Sequence, residues 1–138
     1  AGSMGNELSE KVKANSTVYN EIGDSNKMQE LFREAHAIIL TSAFEGFPLV
    51  IKEGMSNGCV PIVTALPGNK VHLQHFQNAL LIENPEDEKG VVKQAIDNIL
   101  YLLANPLHLQ DLSGNAFNYA KTHFTKDLFI RRYRELLK

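Results

Sequence analysis

The sequence predicts an α/β fold in which a parallel sheet of about four strands is flanked by helices. Three observations lead to this prediction. Short apolar runs of strand length alternate along the chain with stretches whose apolar residues recur at helical spacing. The strand-like runs are almost wholly apolar, as expected for strands buried on both faces of a parallel sheet. The 138 residues, of which 43% are hydrophobic, are enough for one core.

The N-terminal part of the chain predicts a short strand and a helix before the first long apolar run. Residues 17–19, Thr-Val-Tyr, are a strand candidate because β-branched and aromatic residues favour strands. Asp24 or Ser25 can cap a helix over about 27–35, whose apolar residues share one face. The apolar run 37–41 then predicts a strand buried on both faces.

The middle of the chain predicts a helix followed by two further strands. Pro48 has a φ fixed near the helical value and suits the first turn of a helix that runs to about Asn57. Gly58 is expected to end this helix. The apolar runs 60–64 and 79–82 have the composition of buried strands.

The C-terminal part of the chain predicts three helices. Asn84 and Pro85 suit the cap and the first residue of a long helix, and Asn105 and Pro106 repeat this signal. A third helix is expected to begin near Thr125. The residues of the long helix that we expect in the core are Val92, Ala95, Ile96, Ile99, Leu100 and Leu103.

A polar motif follows the strand predicted at 37–41. The stretch 42–53 reads SAFEGFPLVIKE, in which seven residues separate Glu45 from Glu53. Glu45 falls just beyond the carboxyl end of the strand, and Glu53 lies about one turn into the helix. At the helix start the backbone N–H groups of residues 46–50 favour a nearby anion by roughly 0.3–1 kcal/mol. Carboxylates beside such a helix start suit a ligand that alternates hydroxyl-bearing rings with phosphates, such as a nucleotide sugar.

These residues resemble the retaining glycosyltransferases of family four, which have the two-domain GT-B architecture. That family carries a Glu, seven residues, Glu signature in its C-terminal domain. The likeness covers residues 31–63, LFREAHAIILTSAFEGFPLVIKEGMSNGCVPIV. It implies a partial Rossmann-like domain that binds the donor, in an enzyme that transfers a sugar from a nucleoside diphosphate sugar with retention of anomeric configuration.

The resemblance implies a role for each residue of the motif. Glu45 would act at the catalytic centre by contacting the hydroxyls of the transferred sugar, and Glu53 would bind the ribose hydroxyls. Backbone amides of the turn would face the sugar and the diphosphate. The residues that the resemblance assigns to donor binding are Ser42, Gly46, Phe47, Pro48, Leu49 and Glu53. Members of the family usually need no metal, so we expect no cofactor beyond the donor substrate.

The chain departs from the family pattern after Thr64. The family usually continues with a Gly-Gly pair and an acidic residue, whereas residues 65–72 read ALPGNKVH. Thr64, Gly68 and Asn69 lie on the same rim as the motif, but the donor contacts usually assigned to this loop do not carry over to them. They are therefore weaker candidates than the residues of the motif.

The resemblance also predicts the domain organisation. A complete enzyme of this architecture needs two Rossmann-like domains, and 138 residues are enough for one. We expect residues 5–138 to form a single donor-binding domain that is truncated on its N-terminal side, with the N-terminal acceptor domain missing. Such a part is expected to be inactive alone. Residues 1–4, Ala-Gly-Ser-Met, are expected to be a cloning remnant rather than a signal peptide, since no apolar stretch follows them.

Composition and charge exclude several classes of partner. The formal net charge of −2 provides no polycation for nucleic acid. No apolar run approaches the roughly 18 residues of a membrane-spanning helix, so any contact with a membrane is expected to come from the missing parts. Cys59 is the single cysteine, which excludes an internal disulfide and fits a reducing, cytoplasmic location.

Plainer interpretations of the same residues stay open. Glu45 and Glu53 can be a solvated carboxylate pair at a helix start, and Cys59 is expected to be a buried, inert thiol. His72 and His75 are spaced to share a helical face, but without a third ligand we predict no metal site. Two other functions fit the chain: a nucleotide-sugar epimerase of the same architecture, and a non-catalytic interaction module that pairs with a separate subunit.

Overall fold

The computed structural model describes residues 8–138, so the remnant predicted at residues 1–4 lies outside the described part. The chain divides into two compact units, Ala1–Leu31 and Phe32–Lys138. The single domain predicted over residues 5–138 stays a prediction.

The first unit carries a short helix, α1, and the beginning of a second helix. α1 spans Glu10–Ala14, and α2 spans Ser25–Glu34, so that α2 ends within the second unit. The strand predicted at 17–19 is wrong, because this segment has irregular backbone and exposes Val18 and Tyr19. Three residues between polar neighbours provide too little apolar surface to join a buried sheet.

The second unit contains a parallel three-stranded sheet. Its strands are β1 (Ala37–Leu40), β2 (Val60–Thr64) and β3 (Leu80–Ile82), in the spatial order β1-β2-β3. In the pairing of β2 with β3, Ile62 lies opposite Leu80. The three apolar runs predicted as strands here are confirmed to within one residue at each end. Because the strands are parallel, all three carboxyl ends meet at one edge of the sheet.

Helices cover both faces of this sheet, and the sheet separates two hydrophobic cores. After β1 the chain forms α3 (Leu49–Ser56), α4 (Pro67–Lys70), α5 (Glu88–Ala104), α6 (Pro106–His123) and α7 (Lys126–Leu136). One core joins Val63 and Leu81 to residues of α3 and α6, and the other joins Ile62, Leu80 and Ile82 mainly to residues of α5. Successive strand residues point to opposite faces, which explains why neighbours in β2 and β3 enter different cores. The predicted α/β fold with a parallel sheet flanked by helices is confirmed.

Two of the four helix starts predicted after β1 need correction. Pro48 is the N-cap of α3, with an extended ψ of 138°, and lies outside the first turn. Asn84 has a φ of 53° and begins no helix; α5 starts after Asp87, whose side chain accepts a hydrogen bond from the backbone N–H of Gly90. Asn105 and Thr125 are the N-caps of α6 and α7, as predicted.

The predicted core face of α5 is wrong for four of its six residues. Ala95 and Ile99 pack against the core, but the side chains of four others are at least half exposed, namely Val92, Ile96, Leu100 and Leu103. Val91 and Leu102 are buried in their place. α5 carries apolar residues around more than one face, so helical spacing alone does not identify the stripe that meets the sheet.

Cys59 lies at the entry to β2 and is fully buried. Its Sγ donates hydrogen bonds to the backbone carbonyl oxygens of Phe32, at 3.0 Å, and Ala35, at 3.4 Å. Burial raises the pKa of the Cys59 thiol above its ordinary value. The predicted burial of Cys59 is therefore confirmed, and its predicted inertness and the cytoplasmic location stay predictions.

Candidate functional site

The motif predicted as a binding site lies where expected, at the carboxyl edge of the sheet. β1 ends at Leu40, an irregular turn spans residues 41–48, and α3 begins at Leu49. The segment after β2, which contains α4, leaves from the same edge because β1 and β2 are parallel neighbours. The site is thus built from two adjacent loops: we call residues 42–48 the β1 turn and residues 65–72 the α4 loop.

Two contacts hold the β1 turn against the end of β2 and the α4 loop. Thr64 donates a hydrogen bond from Oγ1 to the backbone carbonyl oxygen of Ser42, at 2.6 Å. Gly68 approaches Gly46 so closely that a Cβ atom on Gly68 would lie 2.5 Å from the Gly46 carbonyl oxygen. Glycine at position 68 is therefore a requirement of packing, since any side chain there would push the turn away.

The predicted carboxylates are both accessible at this edge. The Glu45 side chain is exposed and its Oε1 accepts a hydrogen bond from Ser42 Oγ, at 3.3 Å. Glu53 is exposed on α3, about one turn beyond the helix start. The structure thus brings Ser42 and Glu45 into direct contact and leaves both carboxylates free of burial.

The start of α3 presents backbone N–H groups that a ligand can use. The N-cap residue is Pro48, and among the residues that the structure describes no side chain caps this helix. The first turn of α3 contains no acidic residue. Exposed Gly46 and Leu49 flank the helix start. Uncapped N–H groups and the helix dipole together favour a negatively charged group at this point.

Phe47 is partly buried and anchors the β1 turn in an aromatic cluster. Its ring centroid lies 4.5 Å from that of His72 and 5.4 Å from that of Phe124. His72 Nδ1 also shares a hydrogen bond with the hydroxyl of Tyr119, at 3.1 Å. We call these four residues the Phe47 cluster. It connects the turn to the α4 loop and to the C-terminal end of α6.

The surroundings of His72 favour its uncharged form. Burial lowers the pKa of His72, and the positive charges of Lys52, His123 and Arg132 lower it further. Lys52 Nζ lies 5.5 Å from the centroid of the Phe47 ring. An imidazolium at position 72 would therefore face the positive charges of Lys52 on α3 and Arg132 on α7.

A groove of about 490 Å³ borders the Phe47 cluster. Leu49 and Lys52 line it from α3, and residues of α7 such as Phe129 and Arg132 line its opposite side. His72 also contributes to the lining. The start of α3 therefore adjoins an open space that carries aromatic and cationic groups.

The weaker candidates of the rim have packing contacts. Thr64 and Asn69 are buried, and Asn69 Nδ2 donates a hydrogen bond to the backbone carbonyl oxygen of Thr64, at 2.8 Å. Thr64 and Gly68 contact the β1 turn directly, and Asn69 contacts Thr64. The sequence motif gave no indication of His72, Tyr119 or Phe124, because their contacts with the turn join residues far apart in the chain.

The described residues contain no group of three or more His, Cys, Asp or Glu side chains that could hold a metal ion. His72 and His75 do not share a helical face, since both follow α4 in irregular backbone. His75 Nδ1 accepts a hydrogen bond from the backbone N–H of Leu81, at 2.9 Å. Within residues 8–138, no helix is long and apolar enough to cross a membrane.

Comparison with protein families identifies the group to which this arrangement belongs. The family model described as glycosyl transferases group 1 matches residues 6–119. The chain belongs to this family. The match includes the β1 turn, α3 and the α4 loop, and it confirms the family that the motif predicted.

Among curated proteins, this glycosyl transferase group 1 chain is similar to a subunit from Streptococcus parasanguinis. That protein is the GtfA subunit of a UDP-N-acetylglucosamine–peptide N-acetylglucosaminyltransferase, and the two are 23% identical over 120 residues. The alignment covers 86% of this chain and 24% of the relative. The chain thus spans about a quarter of the length of the curated relative that it matches.

Two solved structures have the same fold as this glycosyl transferase group 1 chain. The C-terminal domain of a glycosyl transferase group 1 family protein from Francisella tularensis superposes with a TM-score of 0.71 at 23% identity, covering 89% of this chain and 63% of that one. Sucrose-phosphate synthase from Thermosynechococcus elongatus gives a TM-score of 0.75 at 22% identity, covering 92% of this chain and 31% of that one. At these identities the comparisons support the fold.

Proposed function

We propose that this chain is the donor-binding part of a retaining glycosyltransferase, which transfers a sugar from a nucleoside diphosphate sugar to an acceptor. The observation that carries the proposal is the uncapped start of α3 at the carboxyl edge of the sheet, flanked by the exposed carboxylates of Glu45 and Glu53. The name of the Streptococcus relative, which specifies a UDP-linked sugar, supports this class of donor.

The proposal gives each part of the site one task. Backbone N–H groups from Gly46 to Leu49 bind the diphosphate, where the helix dipole offsets its charge. Glu53 accepts hydrogen bonds from the ribose hydroxyls, and Glu45, oriented by Ser42, contacts the hydroxyls of the transferred sugar. Orientation of the donor and stabilisation of the departing phosphate then provide most of the rate enhancement.

Donor binding is tested by titrating the 138-residue chain with UDP-, GDP- and ADP-linked sugars while following its backbone amide NMR signals. We expect shifts centred on residues 45–53 for one nucleotide. Because a hydrogen bond to a charged group contributes roughly 1.5–3 kcal/mol, Glu53→Ala should weaken binding by about one to two orders of magnitude. Glu34→Ala is the matched control, since Glu34 is an exposed glutamate that precedes β1 at the opposite edge of the sheet.

Each outcome of this titration has a defined meaning. Equal affinities of the Glu53→Ala variant and the wild type would remove Glu53 from the site. The absence of any shift at millimolar ligand, in a chain whose spectrum shows a folded state, would mean either that other parts of the whole protein are required for binding or that the chain is a non-catalytic interaction module. Conversion of a nucleotide sugar by the whole protein without any acceptor would identify an epimerase.

The role of Glu45 is tested in the whole protein once donor and acceptor are known. Glu45→Ala should lower kcat more than it lowers nucleotide affinity, because Glu45 is proposed to contact the reacting sugar. NMR of the product would show whether the anomeric configuration is retained. The proposal includes transfer without a metal cofactor, so EDTA should leave the rate unchanged. Wild-type turnover by Glu45→Ala would exclude the sugar-facing role.

A further inference from the structure

His72 lies in the segment where the sequence departs from the family pattern, yet it contacts the part of the chain that follows the pattern most closely. Its ring centroid is 4.5 Å from that of Phe47 and 5.2 Å from that of Phe124. Its Nδ1 is 3.1 Å from the hydroxyl oxygen of Tyr119. The imidazole is thus held on one side by α6 and the residue after it, and meets the β1 turn on the other.

Phe47 connects His72 to the start of α3. Phe47 stands between Gly46 and Pro48, the N-cap of the helix. It is one of the partly buried residues that pack on the core of α3 and α6. Gly68 packs against the backbone of Gly46, the residue that precedes Phe47. The position of the turn is therefore set by two contacts from the same segment, one at Gly46 and one at Phe47.

The charges around His72 all have the same sign. The groups whose charges lower its pKa are Lys52 on α3, His123 on α6 and Arg132 on α7. The Tyr119 hydroxyl can pair with either tautomer of a neutral imidazole, by donating to Nδ1 or by accepting from it. The pKa of Tyr119 is itself raised by burial, an effect that the charge of Arg132 opposes. A proton on His72 would add a positive charge near those of Lys52 and Arg132, and would remove one of the two hydrogen-bond options.

We propose that uncharged His72 is a positioning residue of the donor site, which holds Phe47 so that the N–H groups of the β1 turn and of α3 face the donor diphosphate. This inference rests on the function proposed above. Protonation of His72 repels Lys52, weakens the packing against Phe47 and loosens the turn. Acid therefore weakens the binding of a diphosphate group through a residue that does not touch it.

The first experiment uses the 138-residue chain without any ligand. Amide NMR spectra are recorded from about pH 8 to about pH 5, a range that brackets the ordinary histidine pKa. We expect the signals of Gly46, Phe47 and Leu49 to move with the same midpoint as the ring signals of His72. His72→Phe should keep the ring packing and abolish this movement.

The chain provides a matched control for this titration. His108 forms a second histidine–tyrosine pair, with 2.6 Å between its Nδ1 and the hydroxyl oxygen of Tyr101. This pair lies in another aromatic cluster, with Phe76. His108→Phe should leave the titration of the β1 turn unchanged. A turn that does not titrate with His72, or that titrates equally in the His72→Phe variant, would overturn the proposal.

The second experiment measures binding of inorganic pyrophosphate at about pH 8, where His72 is uncharged. His72→Ala should weaken binding about three- to tenfold through loss of the aromatic contact, and His72→Phe should restore it to within about twofold. Equal binding by the wild type and the His72→Ala variant would contradict the positioning role. Failure of every variant, including the wild type, to bind pyrophosphate would overturn the proposed diphosphate site at the start of α3, while the ligand-free titration would still decide whether His72 positions the turn.

Discussion

The two loops of the candidate site differ in where they place their polar groups. The β1 turn exposes Glu45, and it leaves the helix start behind Pro48 without a side-chain cap among the described residues. In the α4 loop, by contrast, the polar Asn69 is buried together with Ala65 and Leu66, while Lys70 and Val71 are exposed. One loop therefore presents groups that a ligand can reach, and the other presents packing surfaces to its neighbour.

This difference explains how one loop can follow a family motif while the other departs from it. Under the proposed function, the groups that recognise the donor belong to the β1 turn and α3, so the chemistry of the ligand constrains these residues. The α4 loop then needs only to keep the turn in place, and different residues can do that by packing. Variants of the two loops should therefore have separable effects, on stability for the α4 loop and on binding for the β1 turn.

The largest effect is expected from Gly68→Ala. The added Cβ would lie 2.5 Å from the carbonyl oxygen of Gly46, a backbone atom that cannot move aside as a side chain can. Overpacking of this kind should lower the free energy of unfolding by about 1–3 kcal/mol, measured by urea denaturation.

Gly114→Ala on α6 is the control for this substitution. An added Cβ there would meet no described atom within 4 Å, so the variant should be stabilised by roughly 0.5–1 kcal/mol. Equal stability of Gly68→Ala and the wild type would show that the two loops are not packed as described.

A smaller loss is expected from Thr64→Val, which removes the hydrogen bond between Thr64 Oγ1 and the Ser42 carbonyl oxygen. Valine keeps the shape of the side chain and leaves this carbonyl without its partner, at a cost of about 1 kcal/mol. Thermal unfolding provides the measurement, and Thr64→Ser, which keeps the hydroxyl, is the control. If Thr64→Val were as stable as the wild type, the hydrogen bond would contribute nothing to holding the turn.

The segment after α4 should also make the fold sensitive to acid. Burial lowers the pKa of both His72 and His75 below the ordinary value of 6.5, partly offset at His75 by the charge of Glu83. The unfolded chain therefore binds these protons at higher pH than the folded chain does. The stabilisation is fully present above about pH 6.5 and is lost as the pH falls through the folded pKa values.

Urea denaturation at a series of pH values tests this expectation. His72→Phe should make the free energy of unfolding less dependent on pH, and the remaining dependence should come in part from His75. An unchanged pH dependence in the His72→Phe variant would show that His72 is protonated equally in the folded and unfolded states.

The smallest effect on stability is expected in the β1 turn itself. Ser42→Ala removes a long hydrogen bond to an exposed carboxylate, so the free energy of unfolding should change by less than about 0.5 kcal/mol. The same variant frees the Glu45 side chain and should lower kcat in the whole protein more than donor affinity. A stability loss as large as that of Thr64→Val would mean that the Ser42–Glu45 hydrogen bond within the turn stabilises it as much as the hydrogen bond from Thr64 does.

The sequence was sufficient to predict the sheet and the position of the motif, because both depend on local patterns. Strands buried in a parallel sheet are continuous apolar runs, which is why three of them were located to within one residue. Residues 17–19 show the limit, since three favourable residues do not make a strand without a neighbour to pair with. On α5 the pattern predicted the helix but not which of its faces packs against the sheet. The exposed stripe that contains Val92 and Ile96 is as apolar as the buried stripe that contains Val91 and Leu102.

The contacts of the site could not be predicted in the same way. The motif indicates Glu45 and Glu53 through their spacing, whereas nothing local connects Phe47 with Phe124 or His72 with Tyr119. These pairs form only when α6 has packed on the sheet, and that packing depends on the whole core. The close approach of Gly68 to Gly46 is likewise a property of two loops brought together by parallel strands.

The buried thiol at the entry to β2 gives the chain a chemical reporter of its own motions. Because Cys59 is fully buried and donates hydrogen bonds to the carbonyl groups of Phe32 and Ala35, a thiol reagent can reach it only after a local opening of the fold. Cys59 is the single cysteine of the sequence, so every modified molecule has been modified at one known place. The rate of modification under native conditions therefore measures the free energy of this local opening without the introduction of any probe.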